Sequence, residues 1–121
     1  MGMNKEIKQK WVTALRSGEY EQCEGSLWDM ESGFCCLGVL SDIRRKELKK
    51  GREVFFESIY KLTNGVALLS IPIATWADFP NKNLSREDNS VDVRIGNKKL
   101  SVLNDDGMNF NQIADIIEEN L

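Results

Sequence analysis

The chain has 121 residues, of which 41% are hydrophobic and 29% are charged, so its composition is that of a globular protein rather than a disordered one. The net charge of -3 argues against tight, nonspecific nucleic-acid binding by the protein as a whole. No apolar run approaches the roughly 20 residues that a membrane span needs, and the charged N-terminus has no signal-peptide core. We therefore expect a cytoplasmic protein without a membrane partner, folded as a single domain over residues 1–121, with residues 1–2 interpreted as a cloning remnant.

The first predicted element is a helix in the segment NKEIKQKWVTALRSG. Ile7, Trp11 and Leu15 fall on one face at helical spacing. Gly18 is a suitable end, because glycine readily takes the left-handed conformation that terminates helices. A glutamate-rich loop then leads to a short strand predicted at residues 26–29.

A second helix is predicted from a cap at Ser32, through FCCLGVLSDIRRKELKK, to Gly51. Its first half is apolar on nearly all sides, which is typical of a helix enclosed by other elements. Gly38 inside this helix costs about 1 kcal/mol of helix propensity. We expect a close backbone contact at Gly38 to be the reason for that residue.

The remaining pattern predicts small elements. The segment REVFFES favours a strand by its β-branched and aromatic content, and Asn64-Gly65 indicates a turn. SIPIATWADF predicts a short helix capped by Ser70, whereas the polar segment PNKNLSREDNS predicts a mobile surface loop.

VDVRIGNKKLSV predicts a small hairpin that turns at Gly96-Asn97. The C-terminal segment predicts one short helical turn, a stop at Gly107 and a helix capped by Asn109. Together these elements predict a small α+β single domain. Its central buried helix packs against the N- and C-terminal helices and a small antiparallel sheet.

The adjacent cysteines of SGFCCLGVL are either core residues or a reactive pair. With Cys23 they make an odd number in a chain without histidine, which fits neither a disulfide framework nor a zinc site. Cys35 and Cys36 lie among apolar residues, and buried free cysteine behaves as a small hydrophobic residue. We predict that both are core, and that Cys23, which lies among glutamates, is a poor nucleophile.

The lack of histidine removes the usual general base near neutral pH. No phosphate-binding loop, dinucleotide fingerprint or nucleophile elbow is present. The NDDG segment lacks the acidic series of a calcium loop and predicts a turn or helix cap. The last predicted helix resembles the first helix of a helix-turn-helix, but no recognition helix follows it. No cofactor and no metal are predicted, and a DNA-binding protein or a carboxylate-based enzyme is a weaker alternative.

A dense run of cationic side chains follows the apolar half of the second helix, and it comprises Arg44, Arg45, Lys46, Lys49, Lys50 and Arg52. One interpretation is a solvated helix face with cations near the C-terminal end of the helix dipole. The other interpretation is a patch that binds a partner or an anion, against a background of negative net charge. These residues are the candidate partner-binding site.

Four sequence patterns occur in order along the chain: W..ALRSG.Y.Q, GFCCLGVL.D, IP....WA and L..LNDDG..F..IAD.IE. In this order they resemble a family of small bacteriophage and prophage proteins, with GFCCLGVL the most specific part. The resemblance covers most of the chain and transfers no catalytic residue. It implies a phage accessory protein in a bacterial cytoplasm.

That resemblance implies a non-enzymatic protein that binds a host protein and inhibits or redirects it, in counter-defence among other settings. The alternative is a sponge for an anionic signalling nucleotide, with nucleic acid an unfavoured partner. No oligomeric state is predicted.

Overall fold

The computed structural model describes residues 2–121 and shows six α-helices joined by short strands. The helices are α1 Lys5–Arg16, α2 Cys36–Leu48, α3 Arg52–Leu62, α4 Ile71–Ala77, α5 Leu100–Asp105 and α6 Phe110–Asn120. The strands are β1 Trp28–Asp29, β2 Gly33–Phe34, β3 Leu69–Ser70, β4 Leu84–Glu87, β5 Ser90–Ile95 and β6 Lys98–Lys99, and a 3-10 turn spans Asn81–Asn83. The predicted α+β class is confirmed.

Helix α2 is the central element, as predicted. Its first eight residues, Cys36 to Ile43, are all buried, and α1 packs against both α2 and α6. The indole nitrogen of Trp11, in α1, donates a hydrogen bond to the carbonyl oxygen of Cys36 at 3.0 Å. At the other side of α1, Arg16 forms ion pairs with α6 carboxylates, so the two terminal helices are joined at the surface as well.

The glycine inside α2 makes the predicted backbone contact. A Cβ atom built on Gly38 would lie 1.7 Å from the carbonyl oxygen of Leu27. No side chain fits at that distance, so Gly38 lets α2 pass directly against the segment that precedes β1. The Cys35 amide donates to the same carbonyl at 3.3 Å.

The main sheet is antiparallel with strand order β3-β5-β4, and β6 pairs with β5. Leu69 lies opposite Val91, and Leu84 lies opposite Val93. The predicted hairpin at Gly96-Asn97 is the β5–β6 connection. The prediction of a mobile loop over residues 80–90 is wrong, because Leu84–Glu87 forms strand β4 along β5.

Two other boundaries differ from the prediction. Gly33–Phe34 pairs with Trp28–Asp29 as a small ribbon, so α2 begins after Cys35 and not at Ser32. The helix also ends at Leu48, whereas the prediction placed its end at Gly51. Lys49 terminates the helix by taking a left-handed conformation.

The predicted strand REVFFES is instead the start of α3. Its aromatic residues favour a strand locally, but Phe55, Phe56 and Ile59 are buried together on one side of a helix. Burial of that side overrides the local preference. Asn64 and Gly65 then form the predicted turn, both with positive φ, between α3 and β3.

Candidate functional site

The cysteine pair at the start of α2 belongs to the core, as predicted. Cys35 is the N-cap residue and Cys36 the first helical residue, with exposed fractions of 3% and 0%. Burial raises the pKa of Cys35 to about 12 and raises the pKa of Cys36 well above its ordinary value. Burial also raises the pKa of Cys23. All three thiols are therefore protonated near neutral pH, and none is an activated nucleophile.

The NDDG segment forms the end of α5 and contributes a buried hydrogen-bonding centre, Asn104. Its side-chain amide donates to the carbonyl oxygen of Cys23 at 2.9 Å and to the carboxylate of Asp105 at 3.1 Å. Its side-chain oxygen accepts from the Cys36 amide at 3.2 Å and from the Gln22 amide at 2.9 Å. A cavity of about 430 Å³ lies alongside. Since Asn104 uses both donors and both lone pairs within the fold, it has none left for a ligand.

Two arginines of the predicted basic site bind a fully buried carboxylate, Asp42. Asp42 accepts hydrogen bonds from Arg45 Nε at 2.5 Å, Arg52 Nη2 at 3.1 Å and the Tyr20 hydroxyl at 2.8 Å. Burial acts to raise the pKa of Asp42, but the hydrogen bonds from these three side chains outweigh burial and hold the pKa below its ordinary value. Arg45 and Arg52 therefore join α2 to α3 through Asp42.

The other cations of the run have different surroundings. The Arg44 guanidinium lies 5.3 Å from the centre of a Trp76 ring and 3.3 Å from a Glu47 carboxylate oxygen. The Lys46 ammonium lies 5.3 Å from the centre of the Tyr20 ring. Among residues 2–121, no salt bridge involves Lys46, Lys49 or Lys50. The structure thus divides the predicted set into three pairs. Arg45 and Arg52 bind the buried Asp42. Arg44 and Lys46 lie over aromatic rings at the surface. Lys49 and Lys50 have neither a salt bridge nor a ring contact among residues 2–121.

A groove opens beside Lys50, between the C-terminal half of α2, one face of α3 and the start of α4. We call it the α2–α3 groove, and its volume is about 190 Å³. It is lined by Arg44, Leu48, Lys50, Phe55, Ser58, Ile59, Leu62, Ser70, Pro72 and Ile73.

The rim of the α2–α3 groove is unusually apolar for a charged surface. Leu48 is 41% exposed and Leu62 is 54% exposed, although both are large hydrophobic residues. Val54, one helical turn before Ser58 on the same α3 face, is 66% exposed. Exposed apolar groups that cluster and are rimmed by charge are typical of interaction surfaces, whereas isolated ones are ordinary.

Sequence reasoning missed the α3 part of this groove because REVFFES was interpreted as a strand. The helical spacing of Phe55, Ile59 and Leu62 was the available signal, since residues four and three apart share a helix face. The exposure of Leu62 had no sequence signal, because it depends on which elements pack nearby.

A second, larger groove of about 640 Å³ lies between α1 and α2, and Lys46 of the basic run is part of its lining. Its lining carries both signs of charge, including Lys10 and Lys46 with Glu6, Glu19 and Glu47. Within residues 2–121, no three His, Cys, Asp or Glu side chains are grouped to hold a metal ion. None of the helices described is both long and apolar enough to cross a membrane.

Comparison with curated proteins and with solved structures gave no match. Residues 3–121 match the family model described as a domain of unknown function, DUF8296. Because the match covers nearly the whole chain, this protein is a member of the DUF8296 family.

Proposed function

We propose that the protein is a non-enzymatic binding protein that associates stoichiometrically with a host protein through the α2–α3 groove. The observation that carries this proposal is the exposure of Leu48 and Leu62 beside Lys50, a lysine that forms no salt bridge among residues 2–121. The fold leaves these groups at the surface, where neither the core nor the Asp42 ion pairs use them. Apolar side chains surrounded by charge are the usual composition of a protein-binding surface.

The identity of the partner as a host protein rests on the resemblance to small bacteriophage proteins, with counter-defence as the setting. The non-enzymatic part is supported by the interior chemistry. The thiols are buried with raised pKa values, and Asn104 beside the polar cavity has all its hydrogen bonds made within the fold.

The test is a pull-down from bacterial host lysate with wild-type protein, Leu62→Asp and the control Val102→Asp. Val102 is an aliphatic residue that lies outside the groove lining, and its exposed fraction of 48% is close to the 54% of Leu62. It therefore serves as a matched control. We expect one protein at a fixed ratio with wild type and with Val102→Asp, and its loss with Leu62→Asp. Equal capture by all three forms, or a nucleotide released on heating in place of a protein, would contradict the proposal.

A further inference from the structure

The charge of the α2–α3 groove differs from that of the rest of the molecule. Its lining includes two cationic residues, Arg44 and Lys50, and no acidic residue. Arg44 also lies 3.3 Å from a carboxylate oxygen of Glu47, which is outside the lining, so Lys50 is the cation of the lining that has no salt bridge among residues 2–121. The chain as a whole carries a net charge of -3. An acidic partner is therefore repelled by the protein overall and attracted at the groove, which fixes where and in which orientation it docks.

The cations also flank the apolar rim. Arg44 precedes Leu48 by one helical turn, and Lys50 follows Leu48 by two residues, just past the end of α2. A partner that inserts an apolar side chain next to Leu48 would place its neighbouring side chains near one cation or the other. Carboxylates at those positions would form charge-assisted hydrogen bonds at the edge of the contact.

The size of the groove selects the kind of occupant. Its volume of about 190 Å³ is below the range of about 300–1,000 Å³ that is usual for small-molecule and cofactor sites. It suits an anchoring apolar side chain or two. Along α3 the lining runs from Phe55 to Leu62, about 10 Å or two helical turns.

The secondary structure around the groove favours a helical occupant. Phe55, Ser58, Ile59 and Leu62 present the spacing of one helix face, the surface against which amphipathic helices dock. The nearby edge strand β3 has only two residues, both buried, so it offers little backbone for an added strand.

From these features we infer that the α2–α3 groove binds an amphipathic helix of the partner protein. That helix carries a leucine- or phenylalanine-sized anchor, with carboxylates about one turn to either side. This inference rests on the proposed function and adds the chemistry of the partner segment.

The experiment is a selection from a display library of randomised peptides of roughly 15 residues, or about four helical turns, using the full chain as bait. We expect the enriched peptides to share an apolar anchor flanked by Asp or Glu. Leu62→Asp should weaken their binding more than tenfold, because the peptide's anchor residue then packs against a charged side chain instead of an apolar one. Lys50→Glu should weaken binding several-fold. Raising the salt concentration to about 1 M should do the same, because the Debye length is then about 3 Å.

Lys82→Glu is the matched control for charge, since it makes the same change at an exposed position outside the groove lining. Val102→Asp is the control for Leu62→Asp. If Leu62→Asp melts at a lower temperature than wild type, Leu62→Gln is used in its place. Neither control variant should change the affinity for the selected peptides.

Enrichment of basic or uncharged peptides, or equal loss of affinity with Lys82→Glu and Lys50→Glu, would overturn the acidic-helix inference. So would self-association of the chain that is lost with Leu62→Asp, since a second copy would then occupy the groove. If the pull-down still captures a host protein with wild type and loses it with Leu62→Asp, the proposed function stands without the acidic-helix inference. If capture is also independent of Leu62, both fail.

Discussion

Replacing Gly38 with alanine tests the close approach of α2 to the Leu27 backbone. The added Cβ would lie 1.7 Å from the Leu27 carbonyl oxygen, 2.6 Å from its carbonyl carbon and 3.0 Å from its Cα. All three are backbone atoms, so no side-chain rotation can relieve the overlap. Reaching a tolerable carbon–oxygen separation of about 3.3 Å requires α2 and the Leu27 segment to move apart by about 1.5 Å.

That movement would disturb hydrogen bonds at both ends of the Leu27 peptide. Its carbonyl accepts from the Cys35 amide at 3.3 Å, and its amide donates to the Tyr60 hydroxyl at 3.0 Å. Overpacking costs about 1–3 kcal/mol and a lost hydrogen bond about 1 kcal/mol. Alanine returns about 1 kcal/mol of helix propensity, which offsets one lost hydrogen bond, so we expect a net loss of roughly 1–3 kcal/mol.

Urea unfolding followed by circular dichroism measures this loss directly, and the melting temperature should fall by roughly 10 °C. Gly51→Ala is the control, because a Cβ at Gly51 meets nothing within 4 Å and its φ of -67° suits alanine. That variant should stay within about 0.5 kcal/mol of wild type. Wild-type or higher stability of Gly38→Ala would refute the contact as the reason for glycine at this position.

One further substitution and one labelling experiment test the buried carboxylate and the buried thiols. Asp42→Asn should destabilise the protein by about 2 kcal/mol at pH 7, because hydrogen bonds to a charged group are lost. The folded-state pKa of Asp42 is lowered, so its stabilisation is present above the ordinary carboxyl pKa and is lost as pH falls through the folded value. The stability gap between wild type and variant, measured by urea unfolding, should therefore shrink at low pH; a constant gap would contradict this reasoning. Cys35 and Cys36 should react with a thiol reagent at pH 7.5 only as fast as the protein unfolds, and rapid native labelling would contradict their burial.

The parts of the fold that were predictable are those whose signals are local. The Asn109 side chain caps α6 as predicted, and Asn4, for which no cap was predicted, caps α1 in the same way. Each side chain accepts a hydrogen bond from the backbone amide three residues later. Apolar spacing sets the buried faces of both helices. Gly38 was also informative, because a glycine in an otherwise apolar helix has few explanations other than close approach.

The errors arise where non-local contacts decide the structure. Gly33–Phe34 pairs with Trp28–Asp29, and the Phe34 amide also donates to the carbonyl oxygen of Glu21, so this apolar segment is extended before α2 begins. Nothing in the run of apolar residues marks that change, because short apolar runs suit strand and helix alike.

The candidate site shows the same division. Asp42 and Arg45 are three residues apart on α2, a spacing from which an ion pair can be predicted. Arg52 reaches Asp42 only because α3 folds back toward α2, which the sequence does not indicate. The basic run therefore looks uniform in sequence while its members have different roles, and substituting all of it together would mix loss of folding with loss of binding.

The most distinctive sequence patterns are used almost entirely inside the fold. Trp11 bonds to Cys36, Gln22 bonds to Asn104, Asn104 bonds back to Cys36, and Gly38 lies against Leu27. These contacts give Cys36, Gly38 and Asn104 structural roles within GFCCLGVL and LNDDG.

A separation of effects follows from this arrangement. Substitutions in the interior patterns should lower stability and partner binding together, since binding needs a folded groove. Substitutions at Leu62 or Lys50 should lower binding while the unfolding free energy stays within about 0.5 kcal/mol of wild type, as expected for exposed positions. If those unfolding free energies are unchanged, a loss of binding can be assigned to the surface of the α2–α3 groove. Leu48, Leu62 and Lys50 are the exposed part of that lining, whereas Phe55, Ile59 and Ile73 belong to the core.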